Sequence, residues 1–193
     1  MERLLPSSFF ARQTALVARD LLGRDLVRFI GKRQLRVRIV ETEAYLEKGD
    51  PAAHCSRGPT PRAKVMFGEP GTIYVYFIYG NYFMLNIVTE KPGCAGAVLI
   101  RAVEPVVGVE EMSRKRGGKK LHDLTNGPAK LVMAMGIDGS LNGKMLGLPH
   151  LAVAQGEPVA EKNIVTTTRI GINVAKDLPL RFYVKGNPFV SAL

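Results

Sequence analysis

Cysteine is scarce in this sequence: Cys55 and Cys94 are the only two among 193 residues. One disulfide between them is possible, but two cysteines do not make a disulfide-stabilised scaffold in a chain of this length. They form no C-x-x-C pair, and His54 is adjacent to Cys55 instead of at the spacing of a zinc site. We therefore expect two free thiols and no structural metal.

Long apolar runs are also absent. No run approaches the roughly 20 residues that a membrane-spanning helix needs. The N-terminal segment carries Arg12, Arg19 and Asp20 among its apolar residues, which is unlike the uninterrupted apolar core of a signal peptide. We therefore expect a cytoplasmic protein that does not associate with a membrane.

Acidic residues are in deficit. The chain has 27 Lys and Arg against 17 Asp and Glu, a formal net charge of +10. Such a balance favours polyanionic partners, because each phosphate that a cation neutralises releases counterions. Many proteins are basic for solubility alone, so the charge favours nucleic acid only modestly and does not choose between DNA, RNA and acidic small molecules.

One domain over residues 1–193 is the simplest interpretation, because the chain shows no repeats, no low-complexity segments and no linker. Strand-forming runs outnumber helical ones and follow one another closely. We expect an α+β fold with a curved, mostly antiparallel β-sheet core, flanking helices and a protruding β-hairpin. The predicted elements are helices at 7–22, 109–116 and 128–135 and strands at 25–30, 33–42, 72–79, 82–89, 96–103, 151–154, 163–170 and 180–184.

The strongest local signal is a pair of β-rich runs, TIYVYFIY and YFMLNIVT, separated by Gly80–Asn81. This pattern predicts a two-residue type II′ hairpin with Tyr79 and Tyr82 at its tip. A wedge pushed between base pairs needs such a tip, and aromatic residues below it could stack on an extruded base. The alternative is an ordinary core hairpin with its aromatic residues packed inside.

In the second predicted strand, apolar residues alternate with arginines up to Ile39. If the alternation continues, the same face also carries Glu41, Glu43 and Tyr45. Carboxylates on an inward face cost free energy unless they are paired, and a carboxylate held against a core edge is a common general base. The alternative is that the strand ends near Val40 and both glutamates are solvated.

Arg101 lies within the apolar strand AVLIRAV, on the same face as Leu99. An arginine in that position needs an anionic partner, which Glu41 or Glu43 could supply. A purely structural ion pair explains this pattern equally well.

The predicted loop at 46–71 is rich in proline and glycine and contains His54 and three cations, Arg57, Arg62 and Lys64. The histidine is either a functional group or an ordinary hydrogen-bonded surface residue. The cations could hold phosphates or belong to a solvated loop.

The segment RIVETEAYLEKGDPAAHCSRGPTPRAKVMFGEPGTIYVYFIYGNYFMLNIV closely resembles the core of the alkyladenine (3-methyladenine) DNA glycosylases. The resemblance resumes in VLIRAVEP, NGPAKL, TTTRIGI and LRFYVKGNPFVS, in the same order, so it covers nearly the whole chain. It implies a base-excision-repair enzyme that flips alkylated or deaminated purines out of double-stranded DNA and hydrolyses their N-glycosidic bonds. It further implies no cofactor and no metal, and no strand cleavage, and we expect a monomer.

The resemblance also implies catalytic roles. Glu43 matches the general base that activates the attacking water. Arg101 and the backbone carbonyl of Ile170 match the groups that help to hold that water. Tyr79 matches the hairpin residue that enters the minor groove and fills the gap left by the extruded nucleotide.

For the base pocket, the resemblance implies that Tyr45, His54 and Tyr76 sandwich the flipped base and that Asn86 excludes normal guanine. A two-residue hairpin would pair Tyr76 with Leu85 and put Tyr76 and Asn86 on opposite faces. If both line one pocket, a bulge or sharp twist must intervene.

Phosphate contacts are expected at Arg62, Lys64 and Lys130. Two other functions stay open on the residues alone. A binding module for distorted nucleic acid would keep the hairpin and the basic loop without needing Glu43. A hydrolase for free nucleosides would need the carboxylate but not the exposed hairpin tip or the charge.

Overall fold

The computed structural model describes residues 3–78 and 80–191 of the chain. Its strands pair in a single antiparallel sheet, which confirms the predicted α+β fold. The strands are β1 (Asp25–Ile30), β2 (Arg33–Leu46), β3 (Ile73–Ile78), β4 (Tyr82–Val88), β5 (Gly96–Val107), β6 (Ala152–Ala154), β7 (Ile164–Thr167) and β8 (Arg181–Val184). The α-helices are α1 (Ser7–Phe10), α2 (Thr14–Asp20), α3 (Val109–Lys115) and α4 (Pro128–Met135), and short 3-10 helices lie at His54–Arg57, Lys64–Phe67, Leu121–Asp123, Gly139–Leu141 and Glu161–Asn163.

The central strand of the sheet is β2. The main order is β3-β4-β5-β2-β1-β6, and β8 also pairs with β2 and connects it to β7. The first half of β2 pairs with β1, whereas residues 41–43 pair with β5 on one side and β8 on the other. The second half of β2 is therefore enclosed by strands on both edges, which is why its side chains can be fully buried.

The main hydrophobic core lies between one face of the sheet and the helices. Val17 of α2, Leu21 directly after that helix, and Leu131 and Met135 of α4 pack against buried aliphatic side chains of the strands. A second, smaller cluster covers the other face, where the loop around Cys55 packs against β3 and β4. The two faces of the sheet therefore have different coverings, and the α-helices α2 and α4 pack on the main core.

The alternation of β2 does not continue unbroken, so the prediction that Glu41 and Glu43 share a face with Leu35, Val37 and Ile39 is wrong. The register between β2 and β5 shifts on either side of Glu41. Beyond the shift, Ala44 joins the main core, and the Thr42 hydroxyl donates to the Ala18 carbonyl of α2. The irregularity exchanges the two faces of the strand and turns both glutamates away from the helices.

The alternative of a strand that ends near Val40 with solvated glutamates is also wrong. β2 continues to Leu46, and neither Glu41 nor Glu43 is exposed to solvent. Period-two patterning carries no signal for a bulge, because the residues on either side still alternate.

The hairpin of β3 and β4 has a different register from the predicted one. Ile78 pairs with Tyr82, so three residues separate the strands instead of two. As a consequence Tyr76 pairs with Met84, and Tyr74 pairs with Asn86. Directly paired residues share a face, and so do residues two apart in one strand. Asn86 therefore shares a face with its partner Tyr74 and with Tyr76, without any bulge. The predicted wedge, Tyr79, lies outside the described residues.

The predicted N-terminal helix is divided into α1 and α2. Gln13 is extended, with ψ of 130°, and interrupts the helix. The carboxylate of Glu90 accepts hydrogen bonds from the backbone N–H and the hydroxyl of Thr14, each 2.7 Å long. This cap comes from a loop 76 residues away, so local spacing could not predict where α2 begins.

Several local predictions are confirmed. Pro128 begins α4, and both cysteines are free thiols. Cys55 is buried, and its burial raises the pKa of the thiol to about 11. In the described part of the chain, no helix combines the length and apolar character needed to cross a bilayer.

The turn between α2 and β1 gives a stability prediction. Gly23 has φ of +80°, and a Cβ atom there would lie 2.0 Å from the Glu157 carbonyl oxygen. Gly31, in the β1–β2 turn, has φ of +60° and open space around it. Gly31→Ala should cost about 1–2 kcal/mol from backbone strain alone. Gly23→Ala should cost about 1–3 kcal/mol more, because the carbonyl must also move.

Urea unfolding of the two variants beside the unsubstituted protein measures this difference. Equal losses in the two variants would show that the close approach at Gly23 is not a constraint.

Candidate active site

Glu43 is held by three different groups around its buried carboxylate. Oε1 accepts a hydrogen bond of 2.8 Å from the Ile170 backbone N–H and lies 3.3 Å from Arg101 Nη1. Oε2 accepts a hydrogen bond of 2.9 Å from the Tyr45 hydroxyl. Arg101 Nη1 also lies 3.4 Å from the Ile170 carbonyl oxygen. The three residues to which catalytic roles were assigned, Glu43, Arg101 and Ile170, therefore meet at one point.

Arg101 is oriented by a second buried carboxylate. Its Nε donates to Glu41 Oε1 over 3.1 Å. The same oxygen accepts from Arg181 Nε at 2.7 Å, and Glu41 Oε2 accepts from the Ser191 backbone N–H at 2.7 Å. Two glutamates and two arginines thus neutralise one another in a region without solvent, as buried charges require. The expected anionic partner of Arg101 is both glutamates rather than one of them.

Burial is the main influence on the Glu43 carboxyl, and it raises its pKa above the ordinary value. Arg101, the Ile170 N–H and the Tyr45 hydroxyl lower the pKa again without cancelling the desolvation. Burial and the negative charge of Glu43 also raise the pKa of Tyr45 strongly, so its hydroxyl keeps the proton and donates. Glu43 is therefore a carboxylate of increased basicity, as a general base requires.

A cavity of about 280 Å³ opens beside this carboxylate. All four predicted pocket residues, Tyr45, His54, Tyr76 and Asn86, contribute to its wall. Tyr45 connects the cavity to Glu43, because its ring lines the wall while its hydroxyl bonds the carboxylate. The size is at the small end of ligand pockets, which suits one aromatic base. The other lining residues are Pro51, Ala52, Met66, Tyr74, Ile78 and 171–174.

The sheet register aligns Glu43 with Asn86. Leu99 of β5 pairs with Glu43 on one side and with Asn86 on the other. The three side chains therefore share a face in adjacent strands. Asn86 is buried, and its amide donates to the Tyr74 carbonyl over 3.2 Å, which fixes the side chain at the cavity wall.

His54 is fixed by the neighbouring aromatic residues. Its Nδ1 shares a hydrogen bond of 2.9 Å with the Tyr74 hydroxyl, and its ring meets the edge of Tyr76 at a centroid distance of 4.8 Å. Burial, followed by the charge of Arg62, lowers the pKa of His54, so the imidazole is neutral at pH 7. Burial also raises the pKa of Tyr74 to about 12. The pocket therefore presents a neutral, aromatic surface.

The three residues expected at phosphates have different surroundings. The Arg62 guanidinium lies over the Tyr76 ring at 4.9 Å and donates to the Phe77 carbonyl, so it braces the hairpin. Lys64 is exposed, and Lys130 of α4 donates to the side chain of Asn126, which precedes that helix. Phosphate contact by these residues stays a prediction.

Sequence reasoning missed several residues that build this site. Asp50 and Arg169 form a fully buried ion pair, and Arg169 lies over the ring of Tyr45. Arg181 and Ser191 both bond the Glu41 carboxylate that orients Arg101. Their chain separations exceed 100 residues in most cases, so only the presence of an arginine in TTTRIGI and LRFYV, within otherwise apolar or neutral runs, could have indicated them. Within residues 3–78 and 80–191, no three His, Cys, Asp or Glu side chains are grouped to hold a metal ion.

Comparison with known proteins identifies the class to which this site belongs: the chain is a DNA glycosylase, a repair enzyme that hydrolyses N-glycosyl bonds. It belongs to the methylpurine-DNA glycosylase (MPG) family, whose sequence profile matches residues 8–188.

Individual relatives match over almost their full length. A protein of Carboxydothermus hydrogenoformans is 53% identical over 189 residues, which are 97% of this chain and 98% of the relative. A protein of Prosthecochloris aestuarii is 50% identical, with 95% and 88% of the two chains covered. A protein of Methanoculleus marisnigri is 49% identical, with 97% and 98% covered. Each of the three is named "Putative 3-methyladenine DNA glycosylase".

The raised pKa of Glu43 predicts how stability depends on pH. A carboxyl that titrates higher in the folded than in the unfolded state takes up protons on folding, so its contribution to stability falls as the pH rises between the two pKa values. Glu43→Gln removes this loss. The difference in the free energy of unfolding should therefore shift in favour of the variant as the pH rises above 4.5, the ordinary value for glutamate, whatever the constant cost of removing a partner of Arg101.

Urea unfolding of both proteins at several pH values measures the difference in the free energy of unfolding. A variant that becomes relatively less stable as the pH rises would show that Arg101 and the hydrogen bonds outweigh desolvation at Glu43.

Proposed function

We propose that this enzyme flips 3-methyladenine and hypoxanthine-class purines out of double-stranded DNA and hydrolyses their N-glycosidic bonds with a water activated by Glu43. The observation that carries the proposal is the contact between Tyr45 and Glu43, which joins an aromatic cavity directly to a buried carboxylate of raised pKa. A base bound between aromatic walls would have its sugar near the carboxylate. The family membership and the names of the relatives support the substrate class.

The damaged base must leave the DNA double helix, because an attacking water cannot reach its glycosidic bond while the base is stacked between its neighbours. A net charge of +10 favours the approach to phosphates. Tyr79, which lies outside the described residues, is proposed to fill the gap, and this role rests on the resemblance. The neighbouring Phe77 and Tyr82 are 50% and 41% exposed, so the described part of the hairpin presents aromatic surface to a partner.

Hydrolysis requires one oriented water and a leaving base that is electron-deficient. The water oxygen forms a bond to the anomeric carbon as the glycosidic bond breaks. The electron pair of the glycosidic bond leaves with the purine, and a proton of the water passes to Glu43. Arg101 and the Ile170 carbonyl would help to orient that water. Arg101 Nη1 lies 3.3 Å from Glu43 Oε1 and 3.4 Å from the Ile170 carbonyl oxygen, so both groups are close to the carboxylate. The products are a free base and an abasic sugar.

Strand cleavage is not expected. A bifunctional glycosylase needs an amine nucleophile to form a Schiff base with the sugar. Among the described residues, those lining the cavity include no lysine. The DNA backbone should therefore stay intact until the abasic site is treated with alkali.

Replacing Glu43 with glutamine tests the catalytic role. Glu43→Gln keeps the shape but removes the base, so the single-turnover rate of hypoxanthine release should fall about 10²- to 10⁴-fold. Binding to duplex DNA with a non-cleavable abasic analogue should stay within a few-fold. In the unsubstituted enzyme, the rate should rise with pH through a midpoint above 4.5, the ordinary value for glutamate.

The matched control is Glu110→Gln, which makes the same change at an exposed position of α3 and should leave the rate unaltered. Release that is equal in the Glu43→Gln variant and in the control would end the claim that Glu43 is the base.

Asn86 is proposed to exclude normal guanine, whose 2-amino group would meet the buried amide at the cavity wall. Asn86→Ser should therefore increase guanine release from undamaged duplex relative to hypoxanthine release by about tenfold or more, the scale on which a single clash discriminates. Asn81→Ser makes the same change at the exposed hairpin turn and should leave this ratio as it is. An unchanged ratio in Asn86→Ser would remove Asn86 from the selectivity of the pocket.

A further inference from the structure

The ion pair of Asp50 and Arg169 is the most completely buried pair of charges near the site. Two hydrogen bonds of 2.6 Å join the two guanidinium ends to the two carboxylate oxygens, and both side chains have 0% exposure. Such burial carries a desolvation cost that only good geometry offsets, and a well-packed apolar pair is often as stable or more stable. Stability alone therefore does not account for the pair.

Each member of the pair also binds the backbone of the site. Asp50 accepts hydrogen bonds from the backbone N–H groups of Leu46 and Ala52. Arg169 donates to the Ala44 carbonyl over 3.0 Å, and its guanidinium lies over the Tyr45 ring at 4.6 Å. One ion pair thus joins the end of β2, the loop after it and the segment that follows β7.

These connections place the pair directly behind the reacting groups. Ile170, the residue after Arg169, donates its N–H to Glu43 and presents its carbonyl to Arg101. Residues 171–174 then line one part of the cavity. On the Asp50 side of the pair, the chain continues through Pro51 and Ala52 to His54. Pro51, Ala52 and His54 also line the cavity.

We infer that the Asp50–Arg169 pair is a positioning device that sets the cavity walls and the Glu43–Ile170 contact at one fixed distance from each other. The inference rests on the proposed function, since it assumes that base release depends on that geometry. Neither residue lines the cavity or touches Glu43, so they act through Tyr45, Ile170 and the loop to His54.

The directional geometry of arginine explains why a charged pair is used. A guanidinium presents its donors in a rigid plane, so it can hold a carboxylate with two bonds and still donate to a carbonyl in a fixed direction. Lysine lacks this fork, and a pair of amides would fill the space with weaker and less directional bonds. A displacement of about 1 Å in a reacting geometry can lower a rate about 10²-fold.

The test separates positioning from folding. The double variant Asp50→Asn/Arg169→Gln removes both charges together, and Arg169→Lys keeps the charge but loses the fork, so neither leaves a buried carboxylate without a cation. Both should have a free energy of unfolding close to that of the unsubstituted protein. Single-turnover release of hypoxanthine should fall about 10²-fold in the double variant and about tenfold in Arg169→Lys.

Affinity for duplex DNA with a non-cleavable abasic analogue should stay within threefold in both variants, because that ligand places no base in the cavity. Asp20→Asn is the matched control, since it removes one carboxylate from the exposed Arg12–Asp20 pair and should alter neither rate nor affinity.

Folded variants that release the base within threefold of the unsubstituted rate would overturn the inference. A double variant that loses affinity and rate in proportion, or that does not fold while Arg169→Lys retains full activity, would also overturn it. If the unsubstituted protein releases no base from any damaged duplex, the proposed function fails instead.

Discussion

The structure depends on placing two carboxylates in a region without water. Glu41 and Glu43 are both fully buried on a central strand, and each would be unstable there without a cation. Arg101 serves both of them, and Arg181 completes the balance at Glu41. Because the arginines come from β5 and β8, the sheet must bring three strands together before the charges are compensated, so the electrostatics and the strand order require each other.

The same requirement explains the irregular pairing of β2 and β5. In a regular ladder, Glu41 and Glu43 would lie on the same face as Leu35 and point towards the α-helices. The register shift around Glu41 instead assigns the aliphatic residues to the helices and the charged residues to the opposite face. In the second half of β2 that face is covered by the segment containing His54 instead of by the α-helices. An enclosed aromatic cavity beside a charged centre is the result.

Much of this arrangement could be predicted from the sequence. Strong β-forming runs indicated the strands, and Pro128 indicated the start of α4. The resemblance brought Tyr45, His54, Tyr76 and Asn86 to one pocket. What could not be predicted depended on contacts distant along the chain or on single-residue differences in pairing.

Three features illustrate that limit in physical terms. The cap of Glu90 on α2 involves a side chain outside the helix, so helical spacing did not reveal it. The partnership of Asp50 and Arg169 spans 119 residues and leaves no local pattern. A hairpin with two or three residues in its loop has nearly the same sequence signature, and only the packed structure distinguishes the two registers.

The three-residue loop of the hairpin has a consequence far from the tip. Side chains alternate along a strand, so the loss of one loop residue would slide β4 by one position and turn Asn86 away from Tyr74 and Tyr76. Asn86 lies four residues, about 14 Å of strand, from the start of β4 at Tyr82. The length of the loop and the set of side chains at the cavity wall are therefore coupled: a deletion in the loop would change which side chains of β4 face the cavity.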